Sequence, residues 1–324
     1  MGVTDPEVAP APIRSAPAGW AGGPDSAGRV VIALTVGAIA AVMVWLAYRG
    51  HSDAVSDWDQ CWLAARALLQ GKSPWAAVNA ETSPWPLIYP LPAVLVSLPF
   101  ALVPLPLARA LFAGVNSGLL AYAVSTRWLA LLPFISGAYI WALIAVQWVP
   151  VLVAATLLPW LSVLLIVKPT TGLALGIGWP SRWAIIGAVV LLGASFAVEP
   201  GWLVHWRAGV GSKIVYHVPP IRRPFGWLLL LALLRWRRPE GRFLIASALI
   251  PQAAMPSDLL ALLLIPQTFL ERVIFVASTQ LLALHAIFVV RGVSPGAFAE
   301  NLWPATLVLG YLPALVMVLR RKAV

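Results

Sequence analysis

Long apolar runs, broken by short polar or proline-rich stretches, repeat along the chain. Gly28 to Tyr48 is the cleanest, an uninterrupted run of about 20 residues, the length that carries an α-helix across a bilayer. It has no small-residue cleavage site and reads as an anchor, not a removed signal peptide. Pro92 to Pro104 and Leu105 to Val124 follow as a descending and returning pair, then Leu129 to Gln147, Trp148 to Val167 and Trp183 to Val198. Phe225 to Leu234 is shorter; Phe243 to Met255, Asp258 to Leu270, Val273 to Val290 and Leu302 to Leu319 complete the set. The pattern predicts an all-α polytopic membrane protein, a bundle of about 9–11 transmembrane helices without internal repeats. Residues 1–27, rich in Pro, Ala and Gly, read as a disordered cytoplasmic tail, and 28–324 as one transmembrane domain. Two polar stretches interrupt that domain, 49–89 and 199–223, and loops as long as the first are uncommon without a role.

Composition sharpens the class. Of 324 residues 60% are hydrophobic and 10% charged, with a mean hydropathy of +0.86, which excludes an ordinary soluble domain. The 17 tryptophans gather near predicted helix ends, as interfacial belts do. One cysteine, Cys61, allows no internal disulfide, and no Cys/His spacing suits zinc, so neither a metal nor a cofactor is expected. The net charge of +10 is mostly arginine near helix ends, which fits membrane lipids and topology better than nucleic acid.

The basic clusters assign sides. Arg235, Arg237, Arg238 and Arg242, and the closing Arg320-Arg321-Lys322, are the strongest positive-inside signals. With the N-terminus also inside, an even number of crossings must precede Arg235, so Leu129 to Gln147 is expected to enter and leave on the outer side, where it is buried or lines a cavity. That arrangement places Gln147, Asp258 and both long loops outside and Lys168 inside. The second loop then holds Arg207, Lys213, Arg222, Arg223, His205 and His217 against the usual charge bias, and clustered arginines suit phosphate.

The first loop carries the candidate chemistry. Ser56 to Trp75 reads SDWDQCWLAARALLQGKSPW: Asp57 and Asp59 stand where a helix N-terminus favours carboxylates. Trp58, Cys61, Trp62, Ala65, Leu68 and Leu69 recur at helical steps, predicting an amphipathic helix laid on the bilayer surface. Gly71 gives its stop, ahead of Pro74 and Trp75. Asp57-Trp58-Asp59 has the spelling of a nucleotide-sugar motif but not its sheet-helix frame.

The order Asp, aromatic, Ala-Ala, Ala-Leu-Leu, Gly, Pro, aromatic over Asp57 to Trp75 resembles the first-loop signature of glycosyltransferase family 87, membrane mannosyltransferases of the GT-C fold. Tyr89-Pro90-Leu91-Pro92 is similar to the family's Tyr-Pro-Pro entry, Gln147 to its Gly-Gln turn, Lys168-Pro169 to its Lys-Pro, and Pro256-Ser257-Asp258-Leu259-Leu260 to a later Asp-Leu motif. Cys61 replaces a tyrosine, Ser73-Pro74-Trp75 an Asp-Pro-Tyr, and Val146 the glycine before Gln147. The resemblance implies a polyprenyl-phosphate sugar as donor, a glycan or glycolipid as acceptor, and the first-loop aspartate, Asp57, as the base, with Asp59 the alternate. Arg222, Arg223, Lys213 and His217 are the candidates for the donor phosphate; Asp59, Trp75, Tyr89, Gln147 and Asp258 for acceptor and sugar. Lys168 is expected to flank a helix end, and Trp75, Trp85 and Tyr89 also suit an interfacial belt. The expected setting is a bacterial plasma membrane with the active site on its outer face; the alternatives are a carrier of lipid-linked sugar or an inactive relative.

Overall fold

The computed structural model describes residues 23–50, 54–78, 86–211, 217–253, 255–288 and 295–321. Among them the regular structure is helical throughout, with one isolated antiparallel bridge between Val218 and Gln252. Most of the expected disordered tail lies outside the described residues; its end does not, because Asp25 caps the first helix, Ser26–Tyr48, accepting from the Gly28 N–H at 2.8 Å.

Four described helices are long and apolar enough to cross a membrane: Ser26–Tyr48, Leu105–Val124, Phe269–Phe288 and Ala297–Leu319. A fifth follows if Arg182–Val198 and Trp202–Gly211, bent by 100°, count as one span. This is fewer than the expected set, and proline is the reason. Pro133, Pro159, Pro169, Pro220, Pro239 and Pro256 begin or interrupt helical pieces, since each lacks an N–H and clashes with the preceding turn. The runs therefore become short segments such as Val149–Leu157, Pro159–Val167, Pro169–Gly178 and Pro239–Leu249.

Ser26–Tyr48 shows how these helices divide lipid from protein. Its buried residues Gly37, Ala40, Val44 and Tyr48 recur at steps of three and four, while Val31, Leu34, Ile39 and Val42 are exposed. The buried seam runs antiparallel to Leu105–Val124, with the Arg29 guanidinium donating to the Tyr122 carbonyl at one end and the Arg109 guanidinium lying 4.3 Å from the Tyr48 ring centre at the other. Glycine permits the close approach: a Cβ on Gly114 would sit 2.9 Å from the Gly37 oxygen, and one on Gly37 2.8 Å from the Gly114 oxygen.

The path after Leu105–Val124 departs from the expected one. Gly23, just before the first helix, lies against the Thr126 backbone, whereas the Tyr48 hydroxyl, at that helix's other end, donates to the Ile144 carbonyl at 2.8 Å. Residues 127–145 thus run from one end of the bundle to the other, in two pieces, Trp128–Ile135 and Gly137–Ile144. The next run turns back: Lys168 Nζ donates to Gln147 Oε1 at 2.9 Å, although a straight helix between them would hold their backbones about 30 Å apart. The re-entrant hairpin is 148–167, folded at Leu158-Pro159, and 129–147 traverses. Lys168 therefore lies at the same end as Gln147, which corrects its expected placement on the opposite side.

The first-loop helix, Asp59–Leu69, also differs from the surface helix expected. Trp58, Cys61 and Ala65 are fully buried within the protein, and Trp58 stacks on Phe112 with ring centres 4.3 Å apart. Its stripe packs on Leu91–Ser97, Leu98–Leu102 and Leu105–Val124 instead of on lipid. Gly71 ends it as expected, at φ +68°.

Gly114→Leu is expected to force the first two spans apart and lower stability by about 1–3 kcal/mol. Thermal unfolding in detergent checks this against Gly193→Ala, whose Cβ meets no atom within 4 Å and which should unfold like the parent.

Candidate active site

Five elements converge at the Tyr48 end of the bundle. The Asp57 N–H donates to the Ala145 carbonyl at 3.2 Å, which fixes the first loop to the turn before the hairpin. In that turn Val146 takes φ 51°, a left-handed conformation that a β-branched residue adopts only under constraint, at a cost on the order of 1–3 kcal/mol. The turn aims Gln147 at the loop: its Nε2 donates to Asp57 Oδ2 at 2.6 Å, and the Tyr89 hydroxyl donates to the same oxygen. Among the described residues Oδ1 of Asp57 accepts no hydrogen bond, and the residue is half-buried.

A second carboxylate joins through Lys168. The ammonium bridges Gln147 Oε1 at 2.9 Å and Asp258 Oδ1 at 2.8 Å, with side chains 14% and 8% exposed for the ion pair. The amide of Gln147 has one orientation that serves both neighbours, nitrogen toward the carboxylate and oxygen toward the ammonium. Asp57, Tyr89, Gln147, Lys168 and Asp258 are therefore one continuous polar chain. Beside Asp258 lies a cavity of about 10 Å³, room for a single water, whose lining includes Thr171, Ser247, Gln252 and Tyr311.

Asp59, two residues from Asp57, occupies a different environment. Its side chain is 3% exposed and receives four donors: Arg109 Nε at 2.8 Å, Arg109 Nη2 at 2.5 Å, the Ser56 N–H at 2.6 Å and the Ser56 hydroxyl at 2.5 Å. Arg109 also donates to the Ala54 carbonyl at 2.9 Å. Every favourable approach to this carboxylate is occupied, so it anchors the loop to Leu105–Val124. Gln60 adds a second tie, donating to the Asp57 carbonyl at 3.0 Å and accepting from the Ile88 N–H at 2.8 Å, which holds the Tyr89 strand of chain beside the helix.

The remaining candidates sit around this centre unequally. Trp75 is half-buried, its ring 5.9 Å from that of His205, and among the described residues its Nε1 makes no hydrogen bond to the chain of polar groups. Trp206 Nε1 donates to the Ile88 carbonyl at 2.8 Å, bringing Trp202–Gly211 against the Tyr89 segment. His217 precedes Val218, whose carbonyl accepts from Gln252 N at 3.3 Å, while Gln252 Nε2 donates to Thr170 beside Lys168. Arg222 is exposed. Arg223 is buried and turned toward Ala299, whose carbonyl accepts from Nη1 at 3.3 Å, with its guanidinium 5.6 Å from the Trp303 ring centre. Lys213 and Trp85 lie outside the described residues.

Arg109 was not among the residues singled out from the sequence, yet a signal existed: an arginine inside an otherwise apolar span requires a partner. No family model, curated protein or solved structure matches the chain.

Arg109→Leu alone is expected to cost about 3–5 kcal/mol, because it leaves a buried, unpaired carboxylate; Asp59→Leu with Arg109→Leu should recover most of that loss in chemical unfolding. Burial, and then the Asp57 charge, push the Tyr89 hydroxyl well above the usual tyrosine range. The sign is that of a raised group: its contribution is complete below about pH 10 and is lost as pH rises beyond it, when the unfolded chain gives up the proton first. Tyr89→Phe should therefore flatten the alkaline limb of a stability-against-pH curve.

Proposed function

We propose that the protein is an integral-membrane glycosyltransferase that moves a hexose, mannose by the family resemblance, from a polyprenyl monophosphate to a glycan or glycolipid at the outer face of a bacterial plasma membrane. The observation that carries this reading is the state of Asp57: one oxygen is fixed by Tyr89 and Gln147, and the other accepts from no described donor. A general base needs this arrangement, a carboxylate oriented by neighbours with a free lone pair directed at a hydroxyl. In the reaction Asp57 takes the acceptor hydroxyl's proton as that oxygen bonds to the anomeric carbon. The bond from that carbon to the phosphate oxygen breaks, and the lipid phosphate departs with the electron pair.

The rest of the site suits these roles. Tyr89 and Gln147 orient the base, and the Lys168 ammonium, donating to Gln147 Oε1, holds that amide with its nitrogen toward Asp57. Asp258 holds Lys168 in place. The departing phosphate gains charge and needs donors; Arg222, His217 and Lys213 remain the candidates, while Arg223 serves to join its loop to Ala299 and Trp303. The resemblance to GT-C enzymes supports a bundle of this kind with its active site on the side opposite the arginine-rich ends.

A second reading has its own support. A lysine and an aspartate paired behind a re-entrant hairpin also suit a carrier of lipid-linked sugar, in which buried ionisable groups mark the pathway.

The deciding experiment compares parent and Asp57→Asn, reconstituted with radiolabelled polyprenyl-phosphate mannose and a membrane glycolipid extract. A base role predicts a loss of transfer on the order of 10²–10⁴-fold with the folded yield unchanged. Undiminished transfer by Asp57→Asn would remove Asp57 from the chemistry, and movement of labelled lipid across the bilayer without transfer would favour the carrier.

A further inference from the structure

A groove of about 280 Å³ lies between Pro169–Gly178, Gly226–Arg235 and Pro239–Leu249, walled by Ile177, Leu233, Trp236, Ile245, Ala246 and Leu249. It is remote from the polar chain. Lys168 begins the Pro169–Gly178 helix and the groove adjoins its far end, about 15 Å away at 1.5 Å per residue.

Its charge is specific. Arg242 lines the groove with its alkyl stem, and its guanidinium is held by the carbonyls of Ile177, Arg237 and Gly178 at 3.2, 3.0 and 2.9 Å. Arg235 is likewise occupied, by the carbonyls of Arg321, Leu319 and Leu234. Arg237 differs: it is exposed, and its guanidinium lies 5.9 Å from the ring centre of Trp236, itself 56% exposed at the groove. The site thus offers an apolar slot, an aromatic edge and an exposed cation in that order.

Length adds a reason for an occupant. The three walls have 10, 10 and 11 residues, so each reaches about 15–20 Å and none matches a hydrocarbon core of about 30 Å. Walls this short leave space within the bilayer for part of an acyl chain to lie beside them. The groove falls just short of the roughly 300 Å³ at which small-molecule pockets begin, so it accepts part of one acyl chain and not a whole ligand.

We propose that this groove is a binding site for an anionic glycerophospholipid, one acyl chain lying along Leu233, Ile245 and Leu249 and the phosphate on Arg237. This site is independent of the transferase reading, since it shares no residue with the Asp57 chain.

Native mass spectrometry of the detergent-purified full chain, titrated separately with dioleoyl-phosphatidylglycerol and dioleoyl-phosphatidylcholine, tests it. The parent is expected to retain phosphatidylglycerol about fivefold better, the contribution of one basic residue near a lipid phosphate. Arg237→Gln should abolish that preference, and Leu233→Trp, which fills the slot, should reduce retention of both lipids. Leu34→Trp, on the lipid face of Ser26–Tyr48, is the control and should change neither. Equal retention of the two lipids by the parent, or a preference that survives both Arg237→Gln and Leu233→Trp, would overturn the assignment, as would displacement of phosphatidylglycerol by an equimolar polyprenyl phosphate.

Discussion

Lys168 is the cation on which the polar end of the bundle depends. Its ammonium is nearly buried, and such a charge persists in a protein interior only with partners that replace water. Gln147 and Asp258 supply them. That requirement draws the two ends of 148–167 together, makes the run a hairpin, and brings the start of Pro256–Leu264 to the same place. The amide of Gln147 then extends the contact to Asp57, so a structural demand of one lysine also positions the carboxylate proposed to act as base.

The two first-loop carboxylates separate by environment in spite of their closeness in sequence. Asp59 faces Arg109 and Ser56, and its four donors leave no capacity for a substrate. Asp57 faces the turn at Val146-Gln147, and its Oδ1 accepts from no described donor. An anchored carboxylate thus holds the loop against the Leu105–Val124 span, and the one beside it is presented. Removing the anchor would disturb the site without touching it, which makes stability measurements a necessary companion to any activity assay of these positions.

Proline and glycine decide the rest of the architecture. Proline divides apolar sequence into segments too short to span on their own, and the re-entrant turn at Leu158-Pro159 is the clearest result. Glycine at 37 and 114 does the opposite, allowing two complete spans to meet at backbone distance. The consequence is a bundle in which Ser26–Tyr48 and Phe269–Phe288 lie largely exposed, Leu105–Val124 is mostly buried, and short segments surround a polar interior, with an apolar groove where three short walls meet.

Apolar length, turn chemistry and isolated charge are local properties, and they were enough to assign the membrane class, the first span, the stop at Gly71 and the polar residues worth weighing. The sequence also named Asp57, Tyr89, Gln147 and Asp258 as candidates, although nothing local says that they touch. Tertiary structure decided which apolar runs cross and which return, because a hairpin and a span have the same composition. It likewise decided that Lys168 belongs with Gln147, that Asp59 is committed to Arg109, that the Trp58 face packs on protein and not on lipid, and that Arg223 turns to Trp303. Each of these is a choice of partner across many residues, and for a buried charge or an apolar face the partner sets the role.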